Sequence, residues 1–302
     1  MRPLIKPNFF IVGAAKCGTT ALYVYLKAHP RVFLSPVKEP RYFAEDMPNL
    51  MNRVAARDDY LRLFKGANDR HIAVGEASPQ YLYSAVAPAK IRAFNPDARI
   101  IAMLRNPVDM AWAAHAECLY WFVEEEPDFE KAWRLQGERR AGRCVPPLCK
   151  QVTMLLGAEV AMLGAQVERL LAVFPRDQVK FVLFEDFTGR TREVYEEVLA
   201  FLGVPSDGRS VFPKINTTKR HRLRSLGRLL IHPPKPLGAT RTFLERRLGF
   251  YRLWPALRRL NSAPAKRAPM SPAFRAELME FFRADVEKLG CLIGRDLSGW
   301  HR

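Results

Sequence analysis

The chain has 302 residues, is 48% hydrophobic and 26% charged, and carries a formal net charge of +17. That length supports a sizeable core, and the composition excludes a disordered, repetitive or collagen-like chain; no run of about 18 apolar residues is present, which excludes a helical membrane span. The five cysteines, Cys17, Cys118, Cys144, Cys149 and Cys291, are odd in number and irregular in spacing. Free thiols are therefore expected rather than a disulfide framework or a zinc site, although Cys144 and Cys149 flank Pro146 and Pro147 and are near enough in sequence to pair. Arg2 and Lys6 ahead of FFIVGAA imitate a secretory signal, but the apolar run is only about seven residues and Lys16 stops it, so a cytoplasmic start is expected.

Asn8 to Val12 is a short apolar run ending in Gly13, the pattern of a buried strand, and Leu22, Tyr25 and Leu26 recur at helical spacing through Thr19 to Ala28. Strand, glycine turn and helix make a phosphate-binding arrangement. Backbone N–H groups around Lys16, Cys17, Gly18 and Thr19 are expected to meet at the open helix N-terminus, where the macrodipole favours an anion. Gly18 admits a close backbone approach, and Lys16 adds a full positive charge. The nucleotide-triphosphatase loop GxxxxGK[ST] sets its lysine directly after the second glycine and follows it with a metal-binding hydroxyl. In GAAKCGTT, Lys16 stands two residues before Gly18, so the metal-binding half of that motif is missing. Taken alone, the loop also fits a strand-to-helix turn that binds nothing.

Val32 to Leu34 reads as a short strand, and SPVKEPRYF (Ser35 to Phe43) as a proline-bounded loop carrying Glu39 between Lys38 and Pro40. Tyr60 to Phe64 fits part of a surface helix, His71 to Gly75 a strand, Pro79 the start of a helical segment, and Ile91 to Phe94 a helix end. Arg99 to Leu104 is a second strongly buried strand that runs straight into Arg105, Asn106 and Pro107. In open α/β sheets ligands sit beyond the carboxyl ends of strands, so Arg105 is expected at the same edge as Lys16, with a guanidinium fork suited to a phosphate. A helix runs from Pro107 through Trp112 towards Trp121. Residues 117–157 mix an aromatic cluster (Tyr120, Trp121, Phe122), three acids, a helical piece DFEKAWRLQ and a Gly/Pro/Cys turn, as a cover over a site would. Helical spacing returns at Val160, Leu163, Val167, Leu170 and Leu171, with Pro175 closing that helix. Val179 to Phe184 is a third buried strand ended by Glu185 and Asp186, and Glu193 to Leu202 is an amphipathic helix.

The excess of positive charge is concentrated: between Lys214 and Arg267 there are fifteen Lys or Arg residues against one acid, Glu245. Asn216 to Leu226 reads as a basic polar loop entering a helix. Residues 239–260 interleave Phe243, Leu244, Leu248, Phe250, Tyr251 and Trp254 with arginines, as a helix lying at an interface does. A last helix begins at Ser271 and Pro272 and runs to about Leu289. Strands alternating with helices predict an α/β, P-loop-like three-layer fold, with a mainly parallel central sheet and helices on both faces. A single domain spanning 1–302 is expected, with the cover at about 117–157 and the basic segment at about 219–267.

Three ordered stretches resemble the sulfotransferases that use 3′-phosphoadenylyl sulfate (PAPS), in particular the carbohydrate, heparan and bacterial branch. They are FFIVGAAKCGTTALYVYLKAHP with its following KEPRYF, then FNPDARIIAMLRNPVDMAWAAH, and FPRDQVKFVLFEDF leading to FLGVP. The resemblance spans roughly residues 8–226, with a weaker echo in GRDLSGW. It implies transfer of a sulfuryl group to a hydroxyl or amine, with PAP as the product and no metal. By the same resemblance Lys16, Cys17, Gly18, Thr19 and Thr20 would hold the 5′-phosphosulfate, and Arg105 the 3′-phosphate, assisted by Asn216, Lys219, Arg220 and Arg222. Lys16 would be catalytic as well, and Glu39 would be the general base. The chain departs from the family's RNPxxRxxSxY at Met110, Ala113 and His115, and carries Ala77 where the family has a lysine after the glutamate.

Charge supports the chemistry independently. A sulfuryl group in transfer carries less charge than a phosphoryl group, so one lysine and oriented N–H donors can stabilise it without a metal bridge. A basic face suits an anionic glycan or a lipid-linked acceptor, with peripheral contact at the inner face of a membrane, while the aromatic cover suits a smaller ring-bearing molecule. Two other readings stay open at this point: a P-loop kinase, and a sulfotransferase-like nucleotide-binding protein with impaired catalysis. Nucleic acid is not an expected partner, because no base-reading module is recognisable.

Overall fold

The computed structural model describes residues 5–215, 219–234, 253–265, 267 and 269–301. Asn216, and Phe243, Leu244, Arg246, Arg247, Leu248, Phe250 and Tyr251 of the basic segment, lie outside the described residues. The chain divides into two compact units, one made of 1–114, 156–216 and 271–302, the other of 115–155 and 217–270.

The first unit is built on five parallel strands in the order β2-β3-β1-β4-β5: β1 (Phe9–Gly13), β2 (Val32–Leu34), β3 (Ala73–Ala77), β4 (Arg99–Leu104) and β5 (Val179–Leu183). Helices surround this sheet, giving the expected α/β, P-loop-like architecture. β1 lies in the middle, and all five of its residues are buried, which is why it reads as a continuous apolar run instead of alternating. Among the helices, α1 (Thr19–Lys27) follows β1, α2 (Arg57–Arg62) and α3 (Gln80–Tyr83) flank β3, α4 (Ala87–Phe94) precedes β4, and α5 (Pro107–Tyr120) follows it.

Several boundaries differ from the sequence reading, each for a physical reason. β3 lies two residues later than expected, because Glu76 and Ala77 pair with Phe10 and Ile11 of β1. Tyr60 and Phe64 are fully buried rather than on a surface helix, in an aromatic cluster with Phe43 and Phe94. Glu185 and Asp186 do not end a strand; they occupy the first turn of the helix Phe184–Gly189, where acids favour the macrodipole. The helix expected from Val160 breaks at Ala161 and Met162 and restarts as Leu163–Leu171. Its start is capped from afar: the buried Asp285 carboxylate accepts Gly164 N–H at 2.7 Å and Ala165 N–H at 2.9 Å. A Cβ at position 164 would lie 2.3 Å from the Asp285 carbonyl oxygen, so only glycine permits this approach. Asp285 belongs to the last long helix, Pro272–Ile293, capped by Ser271 and four residues longer than expected.

The second unit is held by a buried ion pair. Arg139 bonds the Glu124 carboxylate at 2.7 and 2.8 Å, and Glu124 also accepts the N–H groups of Glu125 and Glu126. Removing one partner of such a pair costs about 3–5 kcal/mol, since the other is left charged and dry. Lys219–His221, expected in a loop, is a strand because Ser262–Pro264, some forty residues later, pairs antiparallel with it. The His221 ring stacks on Tyr120 and Phe122, with centroids 4.3 and 4.9 Å away. All five cysteines are free thiols.

Candidate active site

β1 delivers the chain into the glycine turn at the carboxyl edge of the sheet. Gly13 and Gly18 both have positive φ, 156° and 91°. A Cβ on Gly13 would lie 2.7 Å from the Leu82 Cβ, and one on Gly18 would press on Phe187 and Met103. Gly18 is the N-cap of α1, and its carbonyl accepts the N–H groups of Ala21 and Leu22. The opening N–H groups of α1, at Thr19 and Thr20, have no acceptor one turn earlier within the helix, which is the general condition for anion binding there. Lys16, itself at φ 63°, stands at the crest of the turn. Cys17 is fully buried, with Sγ 3.4 Å from the Ala15 carbonyl. Burial pushes its thiol far above the ordinary range, so Cys17 contributes its backbone and not a thiolate nucleophile.

Arg105 leaves the end of β4, the strand on one side of β1. Its Nη1 donates to the Lys16 carbonyl at 3.3 Å, and its guanidinium lies over the Phe184 ring at 4.4 Å. The arginine is thus braced against the phosphate loop. Asn106 bonds the Trp300 carbonyl at 3.0 Å and the Val108 N–H at 3.0 Å, fastening the C-terminal GRDLSGW segment beside it.

Glu39 lies on the other side. Its loop is fixed to the end of β3 by a bond from its own N–H to the Ala77 carbonyl at 2.9 Å. The carboxylate pairs with Lys38 through Oε1 and with Arg41 through Oε2, and Gln80 Nε2 is 3.5 Å away. Burial alone would raise its pKa, but the two cations outweigh it and hold the carboxyl below the ordinary carboxylate value. Adjacent strands are about 4.8 Å apart, so the order β3-β1-β4 sets Glu39, the Lys16 loop and Arg105 side by side along one edge.

The structure therefore brings together Lys16, Cys17, Gly18, Thr19, Thr20, Glu39 and Arg105 in the first unit. Lys219, Arg220 and Arg222 belong to the second unit and Asn216 is outside the described residues. Sequence reasoning missed the partners of Glu39. Lys38 and Arg41 are visible in KEPR as neighbours, yet nothing in the letters says that both turn onto one carboxylate. Among the described residues no group of three or more His, Cys, Asp or Glu is placed to hold a metal ion.

A family model for the sulfotransferase domain matches residues 6–225, and the chain belongs to that family. Its structure is similar to that of a sulfotransferase from Alicyclobacillus acidocaldarius, with a TM-score of 0.73 and 32% identity, covering 99% of this chain and 100% of that one. Curated relatives include human carbohydrate sulfotransferase 15, 27% identical over 66% of this chain and 44% of that protein. Human bifunctional heparan sulfate N-deacetylase/N-sulfotransferase 3 is 30% identical over 66% of this chain and 22% of that protein. Mouse heparan sulfate glucosamine 3-O-sulfotransferase 3B1 is 28% identical over 66% of this chain and 46% of that protein. The chain thus spans about half the length, or less, of the curated relatives it matches.

Proposed function

We propose that this protein transfers a sulfuryl group from PAPS to a hydroxyl, or an amine, of a carbohydrate-type acceptor. The observation that carries the reading is Glu39: an ionised carboxylate at the sheet edge, one strand away from an anion-binding loop with a full lysine charge. A base poised to take a proton next to a site for a sulfated nucleotide is what acceptor activation needs. Glu39 takes the acceptor proton as the acceptor oxygen bonds to sulfur and the bridging S–O bond to the nucleotide phosphate breaks. Lys16 and the N–H groups of Gly18, Thr19 and Thr20 stabilise the charge that collects on the leaving phosphate oxygens. Arg105 holds the 3′-phosphate through its fork, so that PAP leaves as the product.

The names of the curated relatives favour a glycan acceptor, and the +17 charge favours an anionic one. A lipid-linked acceptor is the second reading. It rests on Leu223, Leu226, Leu229, Leu253 and Leu260, exposed in the second unit among Arg222, Arg224, Arg228 and Arg259. The kinase reading loses its support with Lys16 out of register for a triphosphate loop. Thermal stabilisation by PAP, with none from ATP and Mg²⁺, is the expected outcome of a melting experiment; stabilisation by ATP–Mg²⁺ alone would favour the kinase. Labelled PAPS offered to desulfated heparan and chondroitin chains then tests transfer.

A further inference from the structure

Glu76 is a carboxylate inside β3 with no exposed surface. It is not part of the chemistry described above, and among the described residues no cation pairs with it, which makes it a costly thing to bury. Its surroundings consist of hydroxyls. Oε1 accepts the Tyr60 hydroxyl at 2.9 Å and the Tyr81 hydroxyl at 2.7 Å, and Oε2 accepts the Ser78 hydroxyl at 2.6 Å.

Two of those hydroxyls have a second attachment, and these, with the ring of Tyr60, lead to the same place. Ser78 Oγ accepts the Arg41 N–H at 3.0 Å. Tyr81 Oη accepts the Phe43 N–H at 3.4 Å. Tyr60 stacks its ring on Tyr42, with centroids 4.3 Å apart and planes 10° apart. Residues 41–43 continue the loop that carries Glu39, and that loop needs holding. Glu39 and Arg41, on either side of Pro40, both have left-handed backbone, φ 62° and 55°, a strained conformation for a non-glycine residue that persists only where the surroundings over-determine it.

We propose that Glu76 is a positioning residue for Glu39: its ionised carboxylate fixes the direction of three hydroxyls, and two of these, with the stacked ring of Tyr60, hold the Glu39–Phe43 loop in its strained shape. The argument is one of proton direction. A hydroxyl has a single proton and spare lone pairs. A carboxylate only accepts, so Ser78 and Tyr81 must donate to it, which leaves their lone pairs facing the N–H groups of Arg41 and Phe43. A protonated carboxyl, or an amide, brings its own proton into the cluster. At least one hydroxyl then loses its acceptor and turns, and where it belongs to Ser78 or Tyr81 the lone pair that faced the Arg41 or Phe43 N–H is no longer held in place. The site's own geometry thereby couples a group inside the sheet to the orientation of the base at its edge.

The ionisation state of Glu76 lies in a useful range. Burial pushes its pKa up to about 7, despite the three hydroxyls that pull it down, and the nearby Glu39 charge adds to the rise. The titratable groups facing it are Tyr60 from α2, Tyr81 from α3 and Glu39 from the loop, the last carrying its own cations Lys38 and Arg41. Burial and the Glu76 charge hold both tyrosines well above their ordinary range, so Glu76 is the member that titrates near neutrality.

This inference rests on Glu39 being the base, and the test separates the two claims. Backbone amide exchange of residues 38–44 is measured against that of α1, from pH 5.5 to 8.5, after correction for intrinsic rates, in wild type, Glu76→Gln and Ser78→Ala. Transfer from labelled PAPS to desulfated heparin, and to water, is followed over the same range. In wild type, protection of 38–44 and kcat both rise through pH ~7. In Glu76→Gln the loop exchanges faster at every pH, the limb near 7 is gone, and kcat falls by about tenfold to a hundredfold while PAP affinity stays within about twofold. Ser78→Ala, the milder change, exposes the Arg41 amide and lowers kcat by a smaller factor. Wild-type protection of 38–44 in Glu76→Gln would overturn the proposal, as would parallel loss of PAP binding and protection throughout the protein. An unchanged rate in Glu39→Gln would instead overturn the base assignment and leave the loop result to be read by itself.

Discussion

The two flanks of β1 handle charge in opposite ways. On the β4 side, Arg105 and the Lys16 loop gather positive charge and backbone N–H groups, with Arg105 braced by a carbonyl and an aromatic face. On the β3 side the central groups are two carboxylates, and they differ from each other. Glu39 is paired with Lys38 and Arg41 and its pKa is lowered; Glu76 is surrounded by neutral hydroxyls and its pKa is raised. We read the first flank as one that would hold an anion arriving from solution. We read the second as one that keeps a negative charge of its own at the edge, with its direction fixed from below.

The sharpest way to break this division is at Glu39. Glu39→Gln should slow transfer by on the order of 10² or more with PAP binding nearly intact, because it removes the proton acceptor and leaves the other flank alone. Lys16→Ala should lower both, since on the proposed reading Lys16 serves the donor in the ground state and in the transition state. Calorimetric titration with PAP beside initial-rate measurement distinguishes the two patterns. A Glu39→Gln protein with wild-type turnover would show that the β3 flank does not supply the base.

Arg105→Ala addresses the other flank and should be smaller in effect. Charged hydrogen bonds contribute roughly 1.5–3 kcal/mol, so PAP should weaken by about tenfold or more, while adenosine 5′-phosphosulfate, which lacks the 3′-phosphate, should bind almost as before. Equal losses for both nucleotides would mean that Arg105 serves the loop, through its bond to the Lys16 carbonyl, more than the phosphate. Substitution of Lys219, Arg220 and Arg222 in the same titration tests the expectation that they assist that phosphate.

The two carboxylates also separate by pH. A carboxyl with a lowered folded pKa gives stability that is present above its unfolded value and is lost as pH falls through the folded one; this is Glu39. A carboxyl with a raised folded pKa favours folding below its unfolded value and loses that contribution as pH rises through the folded value, here about 7; this is Glu76. Glu76→Gln removes the titration. Its melting temperature relative to wild type should therefore improve as pH is raised from 6 to 8, whatever the offset between the two proteins. A difference that stays constant over that range would mean that Glu76 does not change charge there.

The unequal legibility of the flanks follows from how each is encoded. The phosphate loop is contiguous: strand, glycines, lysine and helix start lie within about one dozen residues, so local pattern reveals it. Arg105 is legible for a similar reason, since RIIAML announces a buried strand and the residue after it must emerge at the edge. The environment of Glu39 is not contiguous. Arg41 N–H meets a serine 37 residues away, and Glu76 gathers Tyr60 from 16 residues back. Glu76 sits inside β3, beyond the Gly75 at which the sequence pattern ends the strand, because its pairing with β1 is not visible in the local residues. Lys219–His221 reads as loop for the same reason, since its pairing strand is the distant Ser262–Pro264.

The smallest expected effect concerns Ala113. By resemblance a serine stands here in relatives of this family and touches the 3′-phosphate; in this chain Ala113 is buried within α5. Ala113→Ser adds one hydroxyl on the Arg105 flank; its bond would end on a charged phosphate, but Arg105 already supplies that charge's main partner, so a net contribution in the ordinary range of about 0.5–1.5 kcal/mol, roughly two- to tenfold in affinity, is expected. Without the nucleotide that hydroxyl would turn back to the carbonyl of Asp109, four residues earlier, a bond that slightly destabilises helices. The gain should therefore fall near the low end, about two- to threefold for PAP with no change for adenosine 5′-phosphosulfate, and the ligand-free protein should melt slightly earlier. Tightening of both nucleotides alike would show that the new hydroxyl meets the 5′ side. No tightening of either would mean that Arg105 already saturates the phosphate, or that the hydroxyl stays on its own helix, and PAP titration of the double variant Arg105→Ala, Ala113→Ser decides between these.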